Sequence, residues 1–185
     1  MDLKVTIVGE TGVGKTSLAM SFATNNFDAQ QKSNSVAAFW KKSIDVNDTT
    51  VKFQIWDTAG QELYRSMAPM YMKSAEAIFI VIDVTRPQTL AQVAFWHDQI
   101  KLNCAQSVEV YLIGNKIDQQ RNVTENEAFI VAKQFGMKYF ETSALKGTGV
   151  NSAFQKIAEW KSQQTISYTT ERVIEDEVEK KKCCC

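Results

Sequence analysis

Eight residues, Gly9-Glu10-Thr11-Gly12-Val13-Gly14-Lys15-Thr16, restrict this chain more than any other stretch. Three glycines within six positions let the backbone turn several N–H groups toward one point with no Cβ in the way. The spacing is G-x-x-x-x-G-K-[ST], the pattern of a loop that cradles a polyphosphate between a strand and a helix. Leu3–Val8, rich in β-branched residues, reads as that strand, and Ser17–Ala23 reads as the helix. In that setting Lys15 is a point charge for phosphates and Thr16 a hydroxyl for Mg²⁺. A helix opening at the loop also aims its positive dipole end at the anion. The bland alternative is a chance match to four fixed positions, and the strand before and helix after it argue against that.

The remaining pattern alternates strands and helices. Ala38–Val46 and Val51–Trp56 read as an antiparallel hairpin turning at Asn47-Asp48-Thr49-Thr50. Ala77–Ile82 and Val108–Gly114 are continuous apolar runs, as expected for buried parallel strands, and Lys138–Thr142 reads as the last strand. Helical spacing marks Leu90–Leu102, Glu125–Phe135 with Thr124 as N-cap, and Val150–Lys161. The fold class implied is α/β, a doubly wound, mostly parallel sheet with helices on both faces and ligands at the carboxyl ends of its strands. Residues 165–185 lose apolar periodicity and run from acidic to basic, which predicts a flexible tail beside one domain over 1–164. A formal net charge of zero gives no reason to expect nucleic acid. No apolar run is long enough to span a bilayer and no secretion signal stands at the N-terminus, so a cytosolic protein is expected.

Three further motifs stand at strand ends. Asp57-Thr58-Ala59-Gly60-Gln61 supplies an acid for a metal, a glycine N–H that can approach a γ-phosphate, and an amide able to orient an attacking water. Asn115-Lys116-Ile117-Asp118 supplies a carboxylate, acceptor-only, that matches the two adjacent donors of guanine and mismatches adenine. In Glu141-Thr142-Ser143-Ala144, backbone N–H groups can meet the base carbonyl. Each of these alone also reads as a polar loop after a strand.

Taken in order, the motifs resemble those of small GTPases of the Ras superfamily, with the P-loop NTPase small G domain as the implied fold. Trp56-Asp57-Thr58-Ala59-Gly60-Gln61-Glu62 and the cysteine terminus resemble the Rab family. Ala37-Ala38-Phe39, Val51–Trp56 and Ala68-Pro69-Met70-Tyr71 are most similar to its early-endosomal branch. The likeness covers about residues 2–164. It implies a six-stranded sheet with one antiparallel strand and a switch that binds GTP and GDP with Mg²⁺. It implies that Thr11, Gly12, Val13, Gly14, Lys15, Thr16, Ser17 and Gly60 hold phosphates, and that Thr16 and Asp57 serve the metal. Asn115, Lys116 and Asp118 would hold guanine, helped by Ser143, Ala144 and Leu145; a lysine is common at the last of these. Phe27 would lie against the base, with a place in the core as the rival reading. Gln61 would orient the catalytic water. Phe39, Trp56 and Tyr71 match an exposed aromatic triad for effectors; half-buried sheet packing is the other reading.

One position departs from the family. The switch threonine expected nineteen residues after Lys15 is Asn34 here, whose amide oxygen reaches a metal differently from a hydroxyl. A GTP-binding module without turnover is therefore a second hypothesis. A P-loop kinase is a third, opposed by the N-K-x-D motif and by the scatter of Arg65, Arg86, Arg121 and Arg172. No arginine is obviously poised to help in cis, so slow unassisted hydrolysis and an activating partner that supplies the missing cation are expected. The resemblance also implies an exchange factor, effectors and a GDP-dissociation inhibitor or escort protein. Cys183, Cys184 and Cys185 do not form a C-a-a-X box; they resemble the doubly geranylgeranylated Rab terminus, with a redox or metal role as the rival. Prenyl chains there, aided by Lys180–Lys182, would place the chain on the cytoplasmic face of endosomal or other vesicular membranes, cycling with cytosol.

Overall fold

A computed structural model of the chain describes residues 1–25, 38–57, 68–105 and 107–164. Phe27, Asn34, Gly60, Gln61, Cys183, Cys184, Cys185 and the tail lie outside the described residues.

Six strands, β1 (Asp2–Val8), β2 (Ala38–Val46), β3 (Thr49–Asp57), β4 (Ala77–Asp83), β5 (Glu109–Asn115) and β6 (Lys138–Thr142), form one sheet. Their order is β2-β3-β1-β4-β5-β6. Only β2 runs antiparallel, paired with β3 from Ala38 opposite Asp57 to Val46 opposite Thr49. The hairpin turn is tighter than the sequence suggests. Asn47 and Asp48 alone make it, with φ of 48° and 58°, and Thr49 and Thr50 already belong to β3. Two positive φ values in succession suit the twist of a two-residue hairpin, and Asn and Asp tolerate them best after glycine.

The apolar runs are buried on both faces, with alternate residues assigned to separate cores. Phe79 and Val81 of β4 join Leu3, Val5, Ile7, Phe53 and Ile55 on one side. Ile78, Ile80 and Ile82 face the other. The first side is covered by α1 (Lys15–Thr24) and by the helix at 150–164, here α6. Phe22 of α1 stacks on Phe154 of α6 with ring centroids 3.8 Å apart, and Phe53 and Phe79 meet Phe154 edge-on. Each such pair adds about 0.5–1.5 kcal/mol to the burial of its surface.

The second side takes α2 (Ala68–Met72), α4 (Val93–Asn103) and α5 (Glu125–Gln134). A single helix over 90–102 is not what forms. A short helix, α3 (Pro87–Ala91), starts with proline in its first turn, and Gln92, at φ −83° and ψ −4°, separates it from α4. Proline pre-sets the first turn of a helix and needs no N–H partner there. Thr124 does cap α5. Its hydroxyl accepts the Glu127 N–H at 3.2 Å, and the Glu127 carboxylate accepts the Thr124 N–H at 2.7 Å. That reciprocal box satisfies two donors the helix leaves unpaired.

From β1 the chain passes to β2 and β3 on one side of the sheet, then to β4 on the other. The carboxyl end of β1 is thus the topological switch point, where open α/β sheets bind ligands.

Candidate nucleotide-binding site

The loop between β1 and α1 sits at that point. Gly14, at φ 97°, precedes the first helical residue, and its carbonyl accepts the Leu18 N–H at 2.8 Å. A Cβ at Gly14 would stand 2.4 Å from the Asn115 amide nitrogen, so glycine is required by space as well as by φ. A Cβ at Gly9 would stand 2.3 Å from the Val81 carbonyl oxygen, which lets the loop lie directly on β4.

The loop's carbonyls are taken up by side chains from elsewhere. Asn115 donates to Val13 O at 2.9 Å, Lys116 to Gly12 O at 2.7 Å and Arg86 to Thr11 O at 3.0 Å. Lys15 closes over its own loop, donating to Gly9 O and Glu10 O, both at 2.9 Å. Burial lowers its ammonium to about 8, against the pull of the Asp57 and Glu10 charges. A lysine desolvated in this way gains most from an anion placed beside it.

Asp57 ends β3 and is 1% exposed. Neither carboxylate oxygen has a hydrogen-bond partner among the described residues. Burial raises its carboxyl to about 6; the Thr16 hydroxyl and the Lys15 charge pull the other way without closing a normal hydrogen bond. Two buried, unpartnered carboxylate oxygens near a threonine hydroxyl fit Mg²⁺. That ion takes oxygen ligands and needs only one or two from protein when phosphates supply others. Thr16 and Asp57 are the residues that would hold it.

The base-side motifs meet at one cavity of about 110 Å³. Gly14 and Ser17 line it from the phosphate loop and α1, Asn115, Lys116, Asp118 and Gln119 from the segment after β5, and Ala144 and Leu145 from the segment after β6. Asp118 accepts the Ser143 hydroxyl at 2.5 Å, which orients the carboxylate. Asn115 is 1% exposed, and its amide is spent inside the protein. Besides Val13 O, its oxygen accepts the Thr142 hydroxyl and the Ala144 N–H, each at 3.1 Å. Asn115 therefore ties three loops together.

A family model described as the Ras family matches residues 4–163. The chain belongs to the Ras family. It is 41% identical over 160 residues to the Ras-related protein Rab5 of Nicotiana tabacum, covering 85% of this chain and 80% of that one. The Ras-related proteins RHN1 of Nicotiana plumbaginifolia and RABF2b of Arabidopsis thaliana are each 39% identical with the same coverage. These relatives agree with a Rab of the early-endosomal branch. Membership makes the chain a GTP/GDP-binding switch module and implies that Mg²⁺ accompanies the nucleotide.

The three aromatics Phe39, Trp56 and Tyr71 are brought together. Phe39 and Trp56 face one another across β2 and β3 with centroids 4.8 Å apart, and Tyr71 of α2 lies 5.5 Å from Trp56. Phe39 is exposed, whereas Trp56 and Tyr71 are half-buried. Leu145 is exposed at the cavity rim.

Sequence reasoning missed Asp83 and Arg86. Asp83 is 1% exposed at the end of β4 and accepts from Thr85, Arg86 and Lys116. Burial alone would raise its carboxyl; the Lys116 ammonium and the Thr85 hydroxyl and amide outweigh that and hold it below the usual range. The available signal was an acid closing an otherwise apolar run, with a cation three residues on. Arg86, one of the arginines scattered in sequence, is brought beside the phosphate loop. Its guanidinium lies against the phosphate loop, engaged by Asp83 and Thr11 O.

No helix among the described residues is long and apolar enough to cross a membrane.

Proposed function

We propose that the chain is a Rab-type switch that hydrolyses GTP slowly on its own and recruits effector proteins in vesicle or endosomal traffic. The observation that carries this reading is the convergence of phosphate loop, N-K-x-D segment and Ser-Ala segment on one cavity. Asp118 would select guanine and the loop amides with Lys15 would hold the phosphates. Mg²⁺, when bound, supplies positive charge to the phosphate oxygens. Gln61 would orient the attacking water, and the γ-phosphate would hold the two switch loops in one arrangement until hydrolysis releases them. Phe39, Trp56 and Tyr71 form the candidate effector surface. An exchange factor, an activating protein and an escort protein complete the cycle. Prenyl groups on two of Cys183, Cys184 and Cys185 would anchor the G domain, 1–164, through the tail, 165–185.

Nucleotide binding and single-turnover hydrolysis with and without Mg²⁺ test the proposal. GTP and GDP should bind and ATP should not, with Mg²⁺-dependent turnover reduced in Gln61→Leu. Equal retention of ATP would overturn the guanine assignment. Asn34 favours a second reading, a module that holds GTP without turning it over. In that case wild-type turnover is absent and Asn34→Thr restores it.

A further inference from the structure

In a trans peptide the C=O and the following N–H lie in one plane and point in opposite directions. Three successive carbonyls of the phosphate loop, those of Thr11, Gly12 and Val13, each receive a side-chain donor: Arg86, Lys116 and Asn115 respectively. Tying these oxygens outward sends the N–H groups of Gly12, Val13 and Gly14 to the opposite side of the loop, as a phosphate cradle requires.

Arg86 and Lys116 share one anchor. The Arg86 Nε and the Lys116 Nζ meet the same Asp83 oxygen, at 2.9 and 2.7 Å. The other Asp83 oxygen accepts the Thr85 N–H and hydroxyl at 2.9 and 2.6 Å. Thr89 pins the same turn, its hydroxyl accepting the Asp83 N–H and donating to Arg86 O. The result is a rigid bracket, made from β4 and α3, that grips the loop from outside. Two cations on one carboxylate also explain how an arginine can lie beside a phosphate site without offering it a free charge.

We infer that Arg86 is a positioning residue for the polyphosphate: through the Asp83 anchor it holds Thr11 O outward and so pre-sets the Gly12 N–H toward the phosphate chain. This rests on the proposed nucleotide-binding function. Arg86 borders an open cavity of about 510 Å³ and its side chain is 43% exposed, so it can be changed without disturbing a core. Lysine is a poor substitute, because a single ammonium does not span Asp83 and Thr11 O as the planar guanidinium does.

The test is the affinity of Arg86→Gln, Arg86→Lys and wild type for GDP and for GMP, with thermal unfolding followed in parallel. Arg86→Gln should weaken GDP about tenfold, the size expected from losing one charge-assisted hydrogen bond that orders the site. GMP, whose single phosphate reaches less of the loop, should change by less than about twofold, a free-energy difference near the limit of detection. Arg86→Lys should fall between wild type and Arg86→Gln for GDP. Unchanged GDP affinity, or GDP and GMP weakened by the same factor, would overturn the inference. Failure of the wild type itself to bind GDP would instead remove the functional reading beneath it.

Discussion

The phosphate loop and Asp57 sit within one site and are built on opposite principles. Around the loop, the carbonyls of Gly9, Glu10, Thr11, Gly12 and Val13 all accept from side chains. Asp57 is as deeply buried as any of the partners, yet its two oxygens find no donor among the described residues. The first arrangement lowers the cost of binding by ordering the amides in advance. The second is costly to the fold while the carboxylate is charged, and a cation arriving with the ligand would relieve it. Their contrast separates what the protein prepares from what it leaves to the cation.

The largest effect should come from breaking the prepared half. In Gly14→Ala the new methyl meets the Asn115 amide and the residue is forced to hold φ near 97°. Strain together with the loss of the Asn115–Val13 bond amounts to roughly 3 kcal/mol, so GDP affinity should fall about a hundredfold. Titration calorimetry checks this, and an unaltered affinity would mean that the loop does not need its side-chain ties.

A smaller effect of opposite sign is expected at Asp57. Asp57→Asn removes a buried, unpartnered charge, so the chain stripped of nucleotide and Mg²⁺ should be stabilised by about 1–3 kcal/mol while Mg²⁺ dependence of nucleotide binding is lost. Its pH dependence follows from the raised carboxyl. The folded group titrates at about 6 and the free group at 3.8, so the folded state holds the proton more tightly. This contribution to stability is full below the free value and disappears as pH rises through about 6. Urea denaturation between pH 4 and 7 should show that decline in the stripped wild type and not in Asp57→Asn. A destabilised Asp57→Asn would show that the carboxylate is satisfied after all.

The smallest effect is expected away from both. Thr124→Ala breaks the capping box of α5 and should cost about 1 kcal/mol of stability with GDP affinity unchanged. A change in affinity would mean that α5 is coupled to the site, blurring the division between prepared and unprepared parts.

Much of this was legible in the chain itself, for a physical reason. Motifs whose spacing is local, such as Gly9–Thr16, the Thr124 N-cap and the continuous apolar run of β4, are governed by backbone geometry within a few residues. They can be read without knowing what lies across the fold. Helix α3 was not legible because Pro87 opens it ahead of the apolar stripe and Gln92 interrupts what looks like one helix from Leu90 on. Arg86 was not legible because its partner Thr11 is 75 positions away in sequence.

Composition and spacing alone determined the sheet class, and marked a candidate phosphate loop and a candidate acid for reading a base. Tertiary structure decided which polar groups are spent inside the protein and which remain for a ligand. Asn115 donates its amide across 102 positions to Val13 O, a bond its sequence position does not announce. Asp83, unremarkable in the sequence, becomes the anchor for two cations at the loop. The reason is that hydrogen-bond satisfaction and desolvation depend on what surrounds a group in space, and strands from distant parts of the chain supply those surroundings.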